Sequence, residues 1–277
     1  MKKSSTKKSF QNRRKEFKEK FKSKSKLTIG VYVVLRLFVI LSMIFQSIHG
    51  NWSNVFLCAL TLILFTLPTI ISDKINIELP SFLEITVYLF IFAAEILGEI
   101  QNFYGIFKYW DTMLHTLNGF LCAAIGFSLV DILNREDKFR ISMTPSYLAI
   151  VAFCFSMTIG VLWEFYEFGA DYYLHKDMQK DRIVNVVSSV KINGTDENPP
   201  EVLKDITETR IYSDNGKTET IIKGGYLDIG IIDTMKDLFV NFIGAIIFST
   251  IGYIYVKNRK DSKLINNFVP KLKRNSK

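Results

Sequence analysis

Cysteine is scarce in this chain: Cys58, Cys122 and Cys154 are the only three in 277 residues, and each falls inside an apolar run. Thiols in such places behave as small hydrophobes, which excludes a disulfide framework and leaves the redox compartment unread. Established hydrolase motifs are missing too, with no HExxH, no GxSxG and no phosphatase-type set of Arg and His. No internal repeat is visible. Without an inverted repeat or hydrophobic segments broken by Gly and Pro, a conventional secondary transporter is disfavoured. Basic residues are plentiful, yet no nucleic-acid motif accompanies them, so nucleic acid is set aside as a partner.

What the chain does have is apolar surface kept apart from charge. It is 48% hydrophobic, 14% aromatic and 22% charged, with a mean hydropathy of +0.17 and a net charge of +8. Long uncharged runs alternate with short charged stretches, the layout of an integral membrane protein. Residues 1–26 hold twelve Lys or Arg against two Glu, a composition that cannot build a core. That basic start is long, and no small-residue cleavage site follows the next apolar run. Leu27 onward is therefore expected to be a retained helix rather than a secretory signal.

A helix needs about 20 mostly apolar residues to cross roughly 30 Å of hydrocarbon, where each backbone amide must be paired within its own segment. Six stretches qualify: Leu27 to Gln46, Trp52 to Ser72, Phe82 to Ile100, Asp111 to Leu133, Ser146 to Phe168 and Ile232 to Val256. We expect an all-α polytopic bundle over residues 27–256, flanked by basic cytoplasmic tails at 1–26 and 257–277. Positive residues are held on the cytoplasmic side. With both ends inside, that side receives the first tail, Lys74, the loop of Arg135, Lys138 and Arg140, and the eight basic residues from Lys257 to Lys277. Lys108 alone is left in the short outer loops. The expected location is the cell membrane, with membrane lipid as a partner and the basic tails facing anionic headgroups.

Residues 170–231 are the one long segment between spans and are expected outside the cytoplasm. Arg182 to Ile192 and Thr207 to Ile222 are rich in Val, Ile and Thr, and Ser213-Asp214-Asn215-Gly216 reads as a hairpin turn. Asn198-Pro199-Pro200 marks a loop. A small β-rich insertion follows from this pattern.

Charged side chains inside a membrane helix cost on the order of 2.5 to 3.5 kcal/mol at its centre, so each asks for a reason. Glu95 and Glu99 lie near the outer end of the third span, and Asp111 and His115 open the fourth. Glu164 and Glu167 lie near the outer end of the fifth, with Asp171 just beyond, and Asp233 and Asp237 open the sixth above Asn241. Residues three, four or seven apart share a helix face. Asp111 and His115, then Glu164, Glu167 and Asp171, then Asp233, Asp237 and Asn241 thus form three stripes, with Gly244 and Ala245 below the last to allow close packing. Taken singly, Asp111, Asp171 and Asp233 also suit helix ends, and His115 suits a packing role. Arg36, near the middle of the first span, either snorkels or pairs with Glu84. Trp52, Trp110 and Trp163, with Tyr104, Tyr109, Tyr166, Tyr172 and Tyr173, are placed as an interfacial belt, Trp163 doubling as a wall of the acidic cavity.

Three strings also resemble a family: Trp110-Asp111-Thr112-Met113-Leu114-His115 with Gly119, then Trp163-Glu164-Phe165-Tyr166-Glu167, then Asp233-Thr234-Met235-Lys236-Asp237 with Asn241, Gly244 and Ala245. They resemble the uncharacterised YjdF-like inner-membrane proteins and, more loosely, the VanZ-like proteins. The VanZ-like pattern similarly sets Asp and His on one helix, Glu on the next, and Asp, Asn and Gly on a later one. The resemblance spans about residues 95 to 250 and implies a bacterial envelope setting, with no activity attached. The insertion between the second and third strings departs from that pattern.

Three function classes remain open on the sequence. One is a hydrolase- or transferase-like enzyme on an envelope substrate. Its catalytic candidates are Asp111, His115, Glu164, Glu167, Asp233 and Asp237, with a divalent metal as candidate cofactor on Asp111, His115, Glu164, Glu167 and Asp237. Glu164 or Glu167 with His115 is the metal-free acid and base alternative. A second class binds or transports a cation, a proton or a cationic headgroup, with Glu95, Glu99, Asp171 and Asn241 as further binding candidates. The third is a structural or assembly role.

Overall fold

The computed structural model describes residues 25–74, 77–135, 143–194, 199–258, 267–269 and 271–272. Most of both basic tails, Lys138, Arg140 and Asn198 lie outside these. Among the described residues, six helical segments are long and apolar enough to cross a membrane. The fold is an all-α polytopic bundle with a small β-rich insertion, as the hydropathy pattern predicts.

The first span is α1, Lys26–Ile48. Ser25 caps it, its hydroxyl accepting from the Thr28 backbone N–H at 3.1 Å. The second is divided into α2, Trp52–Leu64, and α3, Leu67–Lys74. Pro68 offers no N–H and its ring crowds the carbonyl four residues back, so the helix breaks just before it. This corrects the expectation that no span is broken at proline. The third span runs as α4, Ser81–Phe92, into a π-helical stretch, Ala93–Ile100. A four-residue helix, α5, Phe103–Ile106, then leads to α6, Trp110–Arg135.

Next comes α7, Pro145–Leu174, capped by Thr144 and opened by a proline whose missing N–H would have had no helical partner. At 30 residues it is about 45 Å long and outlasts the hydrocarbon layer, which carries its final turns beyond the expected Phe168. The last span is α8, Ile231–Asn258.

Packing divides the spans into two groups. Tyr88 of α4 is buried with Leu35 and Val39 of α1 and with Cys58 and Phe65 of the second span. Ala123, Ala124 and Phe127 of α6 are buried with Leu148 and Ala152 of α7 and Ala245 and Phe248 of α8. Large side chains such as Leu37, Phe38 and Leu41 of α1 face outward, where lipid rather than water receives them.

Small residues set how closely α6 and α8 approach. A Cβ on Gly119 would stand 2.1 Å from the Asn241 carbonyl oxygen, and one on Gly244 would stand 2.0 Å from that of Thr116. Arg36 donates to the Tyr32 hydroxyl one turn toward the N-terminus, the direction of snorkelling. Glu84 accepts from Tyr88 at 2.7 Å.

Among the described residues, the insertion between α7 and α8 contains three short antiparallel pairs. Strand β1, Ile77–Glu78, lies elsewhere, and the insertion begins with β2, Ile183–Val184, and β3, Val187–Ser189. It continues with β4, Glu201–Leu203, β5, Glu208–Ser213, β6, Thr218–Lys223, and β7, Tyr226–Leu227. β2 pairs with β7, β3 with β4, and β5 with β6 in the register Ser213 to Thr218. Asp214, Asn215 and Gly216 turn the hairpin at positive φ, as their residue types predict. β1 pairs with β8, Lys271–Leu272, so the loop before α4 and the C-terminal segment share one end of the bundle.

Candidate functional site

The site forms where α6 begins, α7 nears its end and α8 begins. Asp111 and His115 are one turn apart on α6, and His115 Nε2 lies 3.4 Å from Asp111 Oδ1 and 3.8 Å from Asp237 Oδ2 of α8. The other ring nitrogen, Nδ1, faces Glu164 Oε1 of α7 at 3.9 Å. His115 thus stands between three helices, with two carboxylates on one edge and one on the other. Asp237 is 1% exposed, Glu164 5% and Glu167 8%, so this is a recessed cluster rather than a solvated face.

One ligand atom each from Asp111, His115 and Asp237 all lie within 4.8 Å of one another. Two donors each about 2.1 Å from one ion stand roughly 3.0 to 3.4 Å apart at octahedral or tetrahedral angles. The 3.4 and 3.8 Å separations from His115 Nε2 need at most a few tenths of an ångström of closure, and a pair at the 4.8 Å limit of the group would need more than about 1 Å. Oxygen and imidazole donors suit a hard or borderline divalent ion. Metal-ligating histidines commonly present their second nitrogen to a carboxylate, and Glu164 occupies that position. Its outer oxygen, Oε2, is buried and makes no hydrogen bond among the described residues.

Lys236, which the sequence pattern does not single out as a site residue, is central. Its ammonium lies 3.2 Å from Asp111 Oδ2, 3.4 Å from Asp237 Oδ1 and 3.7 Å from Asp233 Oδ1. Asp233 also accepts from the Lys180 backbone N–H at 3.0 Å and pairs with Arg182 at 3.4 Å, tying the insertion to the start of α8. Five carboxylates, those of Asp111, Glu164, Glu167, Asp233 and Asp237, thus meet two permanent cations, Lys236 and Arg182. With all five carboxylates ionised and His115 neutral, the cluster carries three more negative charges than positive ones. Glu167 is held by the Trp163 indole N–H at 2.8 Å, which gives Trp163 the wall position.

Other candidates fall outside this centre. Asp171 accepts from the backbone N–H groups of Met178 and Gln179 at 2.6 and 2.8 Å, anchoring the chain that leaves α7. Asn241 accepts from Asn118 at 3.2 Å and, 1% exposed, lies against Gly119 and Gly160. It thereby joins the three helices beneath the site. Glu95 and Glu99 sit on the π-helical stretch, half-buried and exposed, and neither joins the ion-pair network among the described residues.

Tyr104 of α5 lies within electrostatic reach of both these acids and the cluster. Burial first, then the charges of Glu99, Asp111, Glu95 and Glu167, push its phenol above the ordinary tyrosine range. Its ring rests on Gly98, where a Cβ would come within 2.4 Å. The sequence places Tyr104 in an aromatic belt, and its spacing carries no signal of this acidic neighbourhood. Lys236 was findable as a cation three residues after Asp233 and adjacent to Asp237.

A family model described as "Predicted membrane protein (DUF2238)" matches residues 30–258. An uncharacterised protein of Thermotoga maritima is 29% identical over 94 residues, 34% of this chain and 46% of that protein. The chain thus spans a little under half of that relative's length. No solved structure matches the chain.

Proposed function

We propose that this chain, which belongs to the DUF2238 family of predicted membrane proteins, holds a divalent cation on Asp111, His115 and Asp237. We propose further that it uses the ion for hydrolysis or group transfer at the cell envelope. The observation that carries the reading is the convergence of those three donors within 4.8 Å in a cluster with excess negative charge. Three protein ligands leave a position open for water or a substrate oxygen, where an ion lowers the pKa of water or polarises the bond to be broken. Glu164 orients the imidazole, and Glu167, fixed by Trp163, is the nearby carboxylate suited to accept a proton.

The asymmetry of Lys and Arg supports a site on the outer face of the cell membrane with both termini in the cytoplasm. The resemblance to YjdF-like and VanZ-like proteins supports an envelope role. A second reading, cation binding or passage without chemistry, is favoured by Lys236, whose ammonium already sits among Asp111, Asp233 and Asp237 as a mobile cation would.

Metal content decides first. Protein purified in detergent without chelator should carry about one divalent ion per chain by elemental analysis, lost in His115→Ala and in Asp237→Asn. Adding Mn²⁺, Mg²⁺ or Zn²⁺ to chelator-treated protein should raise the melting temperature of the wild type and of neither variant. No bound metal, together with no thermal response to any of the three, would refute the centre. A metal-loaded protein whose growth phenotype is indifferent to Glu167→Gln would favour the second reading.

A further inference from the structure

Asp111 and Asp237 stand on different helices and divide their oxygens in the same way. Asp111 turns Oδ1 toward His115 Nε2 at 3.4 Å and Oδ2 toward Lys236 Nζ at 3.2 Å. Asp237 turns Oδ2 toward the same ring nitrogen at 3.8 Å and Oδ1 toward the same ammonium at 3.4 Å. The four side chains close a ring in which two acids alternate with two nitrogen centres. In each acid the oxygen nearest the imidazole is not the one nearest the ammonium. A cation held by Asp111, His115 and Asp237 would therefore meet one oxygen of each carboxylate, with the other engaged on the far side of the ring.

Local helix geometry does not account for this. Consecutive residues of a helix do not face each other, and Lys236 and Asp237 are consecutive on α8. The ammonium reaches Asp237 because its long stem bends toward α6, where Asp111 accepts its hydrogen bond at 3.2 Å. Asp237 accepts from it at 3.4 Å. Asp233, one turn earlier on α8, stands 3.7 Å from the ammonium and accepts its hydrogen bonds from the Lys180 backbone N–H and from Arg182. The two hydrogen bonds of Lys236 thus go to the two acids that face the imidazole. Its side chain is 31% exposed and that of His115 11%, so the ammonium lies on the more open side of the ring.

A carboxylate holds a divalent ion through one oxygen or through both. An octahedral ion bound to His115 and to one oxygen of each aspartate keeps about three positions for water or substrate; with both aspartates chelating it keeps about one. We propose that Lys236 is a positioning residue of the centre: by holding the second oxygen of Asp111 and of Asp237, it limits each to a single bond with the ion and keeps the remaining positions open. The inference rests on the metal reading and states how that site stays reactive. The same ammonium repels the incoming ion, so an open coordination sphere is gained against affinity. Loss of Lys236 should therefore tighten ion binding while closing the sphere. A merely structural lysine has the opposite signature, because its loss would loosen the carboxylates and weaken binding.

The test uses full-length protein in detergent loaded with Mn²⁺. Affinity is read from the electron paramagnetic resonance signal of free Mn²⁺, and water on the bound ion is counted from line broadening in ¹⁷O-enriched water. The wild type should carry about three waters on the ion. Lys236→Met should bind Mn²⁺ on the order of tenfold more tightly and lose about one or two of those waters. Lys236→Gln, a second neutral replacement in case the first does not fold, should move both readings in the same direction. Lys236→Arg keeps the charge and has donors enough for both carboxylates, and it should match the wild type in water count. About one water on the wild-type ion would overturn the proposal without recourse to any variant. A folded neutral variant with weaker Mn²⁺ binding, or with an unchanged water count, would overturn it with the metal site intact. Wild-type protein that binds no Mn²⁺ would instead fail the underlying centre, and this inference with it.

Discussion

Replacing Gly244 by alanine tests whether the approach of α6 to α8 builds the site. The new Cβ would stand 2.0 Å from the Thr116 carbonyl oxygen and 2.9 Å from the Phe120 nitrogen, whereas ordinary contact begins near 3.4 Å. Both neighbours are helix backbone, so no rotamer can yield, and the helices must part by about 1.4 Å, the difference between 3.4 and 2.0. Overpacking of this kind costs about 1–3 kcal/mol, and the rigidity of both partners places the expected loss near the upper end. For a chain of this size that is on the order of 5–10 °C in melting temperature, read from detergent-solubilised protein by thermal unfolding. Gly30→Ala is the control, since its Cβ meets nothing within 4 Å and should leave the melting temperature unchanged or slightly raised. Because Asp111 and His115 ride on α6 and Asp237 on α8, the same separation should release metal from protein that is still folded. Melting temperatures equal for Gly244→Ala and Gly30→Ala, or full metal occupancy after a clear fall in stability, would refute the reasoning.

Two further outcomes follow from single side chains. Glu164→Gln should preserve folding, since Oε2 makes no hydrogen bond among the described residues, yet weaken ion binding about 10- to 100-fold as loss of a carboxylate behind a ligating histidine does; a metal titration showing unchanged affinity would sink that role. Asp228, outside the spans, accepts from the backbone N–H groups of Arg182, Gly230 and Ile232 at 2.6, 3.3 and 3.1 Å, so Asp228→Ala should cost about 1 kcal/mol at the start of α8. Burial is the largest single influence and opposes its charge, but the three N–H groups and the Arg182 charge together outweigh it and hold the carboxyl below the ordinary range. A depressed folded value means that the stabilisation is complete above the unfolded value of about 3.9 and is lost as pH falls through the folded one. Protease sensitivity of the insertion should therefore rise below about pH 4 in the wild type and stay flat in Asp228→Asn.

The spans were legible because lipid forces every backbone amide into its own helix, and twenty-residue apolar runs have no other use. The hairpin was legible for a local reason, Asp-Asn-Gly at positions that require positive φ. The stripes from Asp111 to His115 and from Asp233 to Asn241 could be read as helix faces, and the structure brings Asp111, His115, Glu164, Glu167, Asp233 and Asp237 to one place. Periodicity does not say which stripe faces which neighbour, so Asp171, at the right spacing after Glu164 and Glu167, turns out to serve the backbone of Met178 and Gln179. Strands β4 and β7 were also out of reach, since two- and three-residue strands are defined by their partners and carry no period of their own. The break before Pro68 was readable and went unread because hydropathy averages across a single proline.

The acids of the cluster are not equally in need of explanation. Asp111 and Asp233 lie in the first turns of α6 and α8, where a negative charge opposes the exposed N–H groups and is favourable whatever else the site does. Asp233 has a second structural occupation in holding Lys180 and Arg182 of the insertion. Neither account extends to Glu164, which lies ten residues before the end of α7, about 15 Å along the axis and beyond the reach of that helix's terminal dipole. Glu167 has the Trp163 indole and Asp237 has Lys236, but Glu164 ends in a buried oxygen that makes no hydrogen bond among the described residues. A fold selected for stability alone would place glutamine or leucine there. The carboxylate behind His115 is thus the residue whose presence argues most directly that the centre does something besides hold three helices together.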